Sequence, residues 1–217
     1  MINEFIKRLL SSIILIPIIF FIIIKGSYFF NLFLIICLML TLFEWHNMTK
    51  NKKYNLIGNL LILFSFFTVF QLRNNEDGSS LPIFFLILFT CIFSDIGGYI
   101  FGKIFKGPKL IKISPNKTYA GVIGAYSTSM LMLIILFNYL NINFLGKIYL
   151  NKVELFLIFS LSTVSQLGDI IISYCKRLSN IKNTGSLIPG HGGILDRIDG
   201  MIFAFPFYYL IELLVKI

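Results

Sequence analysis

The sequence predicts an all-α fold, a polytopic helical integral membrane protein with about seven transmembrane helices and a cytoplasmic N-terminus. Three observations carry this. Of 217 residues, 57% are hydrophobic and 13% charged, with a mean hydropathy of +0.84; a soluble domain carries about 25% charged residues, so too few polar side chains remain to coat a globule. The apolar residues, 24 Phe among them, gather in blocks of spanning length, not in the short alternating runs of outer-membrane strands. The basic residues collect on alternate connections, which sets a sidedness. A water-soluble enzyme is excluded.

The apolar runs are Leu9 to Ile24, Tyr28 to Phe43, Leu56 to Leu72, Leu81 to Phe101, Tyr119 to Leu140, Val153 to Ile172 and Met201 to Val215. Several fall short of the roughly 20 residues of a full span, so tilt and shifted boundaries are expected. The first run follows Lys7 and Arg8 but has no small-x-small cleavage site after it, and reads as a retained helix. We expect one membrane domain over residues 1–217. Within it, residues 1–80 serve packing and dimer contacts, and residues 81–217 carry the catalytic helices and loops.

With the N-terminus inside, Lys7, Arg8, Lys50, Lys52, Lys53, Lys103, Lys106, Lys109, Lys112, Lys117, Lys176, Arg177, Lys182 and Arg197 are all cytoplasmic, 14 of the 19 basic residues. Lys25, Arg73, Lys147, Lys152 and Lys216 remain outside. The bias holds loop by loop, as the positive-inside rule requires. It also accounts for the net charge of +9 without nucleic acid, which is not expected as a partner. Cys37, Cys91 and Cys175 have no disulfide or zinc spacing. His46 beside Trp45 reads as an interfacial aromatic belt.

Function is expected on the cytoplasmic side, where the connections carry Gly, Pro, His and paired charges. A carboxylate near membrane depth costs several kcal/mol unless paired, hydrated or bound to a cation, so Asp95 and Asp169 ask for a reason. Offsets of four, seven and eight put Asp169, Ser173, Lys176 and Arg177 on one helical stripe, a layout suited to a metal and a phosphate chain, although the two cations also serve topology. Further on, Gly190, Gly192 and Gly193 would let backbone N–H groups approach an anion. Asp196 and Asp199, three apart, would share a helical face and could hold Mg²⁺, and Arg197 could fork a phosphate. Gly98 and Gly102 read first as helix packing. Asn116 to Thr118 are expected to open a helix, with Lys117 placed to meet phosphate.

Ser173-x-x-Lys176-Arg177, then Lys182, then Pro189-Gly190-His191-Gly192-Gly193-x-x-Asp196-Arg197-x-Asp199 resembles the signature of the phosphatidate cytidylyltransferase, or CDP-diacylglycerol synthase, family. Asp95 with its glycines and Ser114-Pro115-x-Lys117-Thr118 resemble that family's other cytoplasmic patches. The resemblance covers about Leu81 to the C-terminus and is thin over the first three spans. It implies transfer of a cytidylyl group from CTP to phosphatidic acid, in a bacterial inner-membrane homodimer whose active site faces the cytoplasm. Mg²⁺ would be the cofactor, alone or with a second cation. Asp169 and Asp196 would be the metal ligands, supported by Asp199. Lys176, Arg177, Lys182 and Arg197 would hold phosphates and Ser173 would orient one. His191 with Gly190, Gly192 and Gly193 would shape the nucleotide loop, with Asp95 and Lys117 as further binding residues.

Asn183 stands where the family has Asp, which keeps the oxygen acceptor without the charge; an outer role fits that position, since Asp169 and Asp196 already supply an oxygen pair. The chain is also short for the family. A CTP-dependent lipid-alcohol kinase and an ion-coupled transporter using Asp95 and Asp169 are the alternatives. The transporter would call for inverted repeats with breaks in both halves, whereas the breaks here cluster on one side and in the second half.

Overall fold

The computed structural model describes residues 2–50, 52–74, 80–111, 114–139, 152–187 and 192–216. Each of the seven apolar runs forms a helix: α1 (Ile2–Lys25), α2 (Ser27–Thr49), α3 (Asn55–Asn74), α4 (Ser80–Phe105), α5 (Tyr119–Ile134), α6 (Lys152–Leu178) and, after the single turn α7 (Leu195–Ile198), α8 (Met201–Lys216). Helices α2, α3 and α6, the segment Leu81–Phe105 and the segment Tyr119–Phe137 are long and apolar enough to cross a membrane; the apolar helical segments Ile13–Lys25 and Met201–Val215 are shorter. Many large apolar side chains lie exposed along these helices, Ile16, Phe29, Met39, Ile57, Ile123 and Phe156 among them, as a lipid-facing surface requires. This is a polytopic helical membrane protein.

The chain sorts into two compact units. The first comprises residues 1–74 and 176–198. Here Gly26, at φ +63°, makes the α1–α2 turn in a backbone region open to glycine. Arg73 closes that end by donating from Nε to the Ile23 carbonyl (2.8 Å) and from Nη2 to the Ile24 carbonyl (3.0 Å), groups that the end of α1 leaves without helical partners. Asn74 reaches Asn31 at 3.0 Å. At the opposite end of the α2–α3 pair, Trp45 is buried, donates from Nε1 to the Asn55 carbonyl at 3.0 Å and meets the Tyr54 ring edge-on. A Cβ at Gly58 would collide with the Trp45 indole. Trp45 is therefore a bolt between two helices and not the belt residue expected from its position, whereas His46 next to it is exposed.

The second unit comprises residues 75–175 and 199–217. Its organising contact is α4 against α5, where the helix backbones nearly touch. A Cβ on Gly97 would collide with Thr128, one on Gly124 with Phe101, and one on Gly121 would sit 2.8 Å from the Gly98 carbonyl oxygen. Without a hydrophobic drive between helices in lipid, such close approach is a main source of association. Hydroxyls extend the seam: Thr128 Oγ1 donates to the Phe93 carbonyl (2.9 Å), Ser94 pairs with Ser162 of α6 (2.9 Å), and Tyr126 of α5 pairs with Thr163 (3.0 Å) while stacking on Phe159. Phe84 packs on Phe205 to bring in α8.

An antiparallel hairpin, β1 (Lys109–Ile111) and β2 (Ser114–Thr118), is added to the helical plan, with Lys109 opposite Thr118. Asn116 and Lys117, expected in a helix, lie in β2. Thr118 alone performs the capping role: its backbone is extended, and its Oγ1 accepts from the Gly121 N–H at 3.1 Å, satisfying a donor that the first turn of α5 leaves open.

Candidate functional site

In the second unit, α4, β2, α5 and α6 enclose a cavity of about 280 Å³ whose polar lining includes Ser94, Asp95, Lys117, Thr118, Gln166, Asp169 and Ser173. The helical repeat places Ser173 one turn beyond Asp169, and its hydroxyl donates to Asp169 Oδ1 at 3.2 Å. The hairpin delivers Lys117 to the same carboxylate, with Nζ 2.6 Å from Oδ2. That ammonium is shielded from solvent and has no acceptor aligned with its N–H groups among the described residues, so charge and not a directed hydrogen bond holds it. Gly98, Gly121 and Ala125 form a wall of the cavity from the α4–α5 seam.

In the first unit the last turn of α6 and the segment around α7 form a second polar group. Lys176, 8% exposed, donates from Nζ to Asp196 Oδ1 at 2.9 Å. Asp196 Oδ2 accepts from the backbone N–H of Thr184 (2.9 Å) and of Gly193 (3.1 Å). Burial alone would raise the Asp196 carboxyl, but the hydrogen bond and charge of Lys176 and the two backbone donors more than offset it and hold the carboxyl below its ordinary value. Gly192 adopts φ +88°, and a Cβ there would lie 2.9 Å from Asp196 Oδ2.

A residue that sequence reasoning passed over completes this group. Glu44 of α2 is 3% exposed; its Oε1 accepts from the Ile194 N–H (3.0 Å), and its Oε2 accepts from the Leu195 N–H and the Thr184 hydroxyl, each at 2.9 Å. A signal was present in the sequence, a carboxylate directly at the end of the apolar run Tyr28 to Phe43, where an isolated charge is costly.

The structure thus gathers Asp95, Lys117, Asp169 and Ser173 around one cavity, and joins Lys176, Gly193 and Asp196 in one network. Arg177 donates to the Ile181 carbonyl (3.2 Å), and Lys182 and Arg197 lie exposed on either side of the loop. Asp199 is buried at the turn entering α8 and accepts from the Gly200 N–H at 2.9 Å. Asp196 and Asp199 do not share a helical face as expected, because α7 is a single turn ending at Ile198. Gly190 and His191 lie outside the described residues.

The carboxylate and hydroxyl oxygens of Asp95, Asp169, Ser94 and Ser173, with the Gln166 side chain, are the hard donors that Mg²⁺ takes. Asp196 differs, since the chain itself already occupies both its oxygens. No group of three or more acidic, His or Cys side chains stands ready for a metal among the described residues, so substrate oxygens or water would have to complete the shell.

The cytidylyltransferase family model matches residues 6–76 and 56–215. A phosphatidate cytidylyltransferase of Rickettsia felis is 34% identical over 211 residues, covering 95% of this chain and 92% of that protein. One of Rickettsia bellii is 36% identical over 217 residues, covering 94% and 89%. One of Haemophilus influenzae is 40% identical over 130 residues, or 57% of this chain and 44% of the relative. With one family model spanning nearly the whole chain and full-length relatives above 30% identity, the chain belongs to the cytidylyltransferase family.

Proposed function

We propose that this protein is a phosphatidate cytidylyltransferase, transferring CMP from CTP to phosphatidic acid to give CDP-diacylglycerol and pyrophosphate in phospholipid synthesis. The likeness to phosphatidate cytidylyltransferases along 95% of the chain carries the reading. A phosphate oxygen of the lipid attacks the α-phosphorus of CTP in line; the new P–O bond forms as the bridge to the β-phosphorus breaks, and pyrophosphate leaves. Such a reaction asks the protein to position groups and neutralise charge.

Lys117, shielded in the cavity beside Asp169, supplies a cation for a phosphate, and Ser173 orients one. Arg177, Lys182 and Arg197 hold phosphates at the loop, shaped by Gly190, His191, Gly192 and Gly193, while Lys176, expected among these cations, instead secures Asp196 within it. Mg²⁺, when bound, would neutralise phosphate charge; Asp169 with Asp95 is the protein pair best suited to it, with Asp196 and Asp199 supporting the loop. We assign seven spans, a cytoplasmic N-terminus and site, a bacterial inner membrane and a homodimer to the same reading.

Purified protein in detergent, given CTP, phosphatidic acid and Mg²⁺, is expected to release pyrophosphate in step with CDP-diacylglycerol, and a chelator stops it. CDP as the nucleotide product would instead make the protein a kinase.

A further inference from the structure

We propose that Glu44 is a positioning residue for the nucleotide: it sets the backbone of the loop that carries Gly193 and Asp196, and through that loop the affinity for CTP. This rests on the cytidylyltransferase reading above. Glu44 lies in α2, far in sequence from that loop.

A buried carboxylate is tolerated only when its oxygens are satisfied. Those of Glu44 are satisfied by donors of the loop, the Ile194 and Leu195 N–H groups and the Thr184 hydroxyl. With Gly193 N–H turned onto Asp196, three consecutive backbone donors of the loop end on two carboxylates. The loop is also moulded around the Glu44 side chain. A Cβ at Gly193 would collide with Glu44 Oε2 and Thr184 Oγ1, and one at Gly185 would lie 2.7 Å from Glu44 Oε1. These two glycines therefore make room for a carboxylate of the protein itself. An amide cannot replace it, because one end of Gln would point N–H groups at N–H groups.

The test measures steady-state kinetics of the full-length protein in detergent. Glu44→Gln is expected to raise the KM for CTP about tenfold while the KM for phosphatidate stays within about twofold, because the loop serves the nucleotide. Loss of folded protein alone would lower apparent kcat and leave both KM values in place. Gly185→Ala should raise the CTP KM in the wild type but add nothing in a Glu44→Ala background, since the atoms it would crowd are then gone. If Glu44→Gln does not fold, Thr184→Val, which removes one donor, takes its place with a smaller shift in the same direction. Amide exchange at Ile194 and Leu195 is expected to accelerate in each Glu44 variant. An unchanged CTP KM, or equal harm from Gly185→Ala with and without Glu44, overturns the proposal. A wild type that releases no pyrophosphate overturns the reaction and the CTP role with it, while exchange still reports whether Glu44 holds the loop.

Discussion

Among the described residues, two lysine–aspartate pairs look alike on paper and differ in what surrounds them. In the first unit Asp196 has a side chain 9% exposed and three donors from the chain, Lys176 and the Thr184 and Gly193 N–H groups. In the second, Asp169 is 30% exposed, lines a cavity, and is met by Lys117 and one hydroxyl. A carboxylate filled by backbone donors cannot change partners without unmaking a loop. One with open lone pairs on a cavity can trade its lysine for a cation or a substrate group. The difference separates a fastener from a working group.

The largest effect is expected at the working group. Asp169→Asn should lower kcat by about two to three orders of magnitude, the scale of removing one well-placed electrostatic partner, with little change in thermal midpoint. A loss of stability matching the loss of activity would place Asp169 with the fasteners. Next comes stability at the other pair: Lys176→Ala strands the buried Asp196 charge and should cost about 3 kcal/mol, whereas Lys117→Ala at the more open pair should cost less than about 1 kcal/mol. Equal costs, read from chemical unfolding of both variants in the same detergent, would erase the distinction.

The smallest effect is in pH. The folded carboxyl of Asp196 lies below its ordinary 3.8, so its contribution to stability is complete above that value and is lost as pH falls through the lowered one. The thermal midpoint should hold from neutral pH to about 4 and then drop, with the drop reduced in Asp196→Asn. An equal drop in that variant would move the titration to another group.

The seven helices were legible because each is a long apolar run; their ends moved by up to about two turns, from Ser80–Phe105 for a run read as Leu81 to Phe101 to Ile2–Lys25 for one read as Leu9 to Ile24. Most site residues were legible as types, since Asp and Lys stand out in an apolar chain. Their partners were not. Lys117 meets Asp169 across 52 positions of chain through a hairpin that has no alternating apolar pattern to announce it. Glu44 stood out as a type in the same way, but its role did not, because its donors lie about 140 to 151 residues away. Gly193 was read for a ligand's approach, yet the crowding atoms belong to Glu44 and Thr184. Periodicity reports which face is apolar; it does not report which polar groups a fold brings together.

The seam of Gly97, Gly121 and Gly124 has one more consequence. Gly98, Gly121 and Ala125 belong both to the α4–α5 contact and to the cavity wall, so this patch of the wall is main chain and one methyl, with no rotamers to swing, between the side chains of Tyr99 and Val122 that line the cavity from the same helices. The patch is therefore set like the bore of a machined part. Thermal motion of side chains does not adjust this patch, and substitution there can remove no more than the Ala125 methyl, whereas Tyr99 and Val122 are the lining side chains of the same helices that can be trimmed. A larger change of shape at the patch would have to come from re-spacing two helices, which makes Gly98 and Gly121 slow to diverge and a sound fixed reference when variants of the other lining residues are compared.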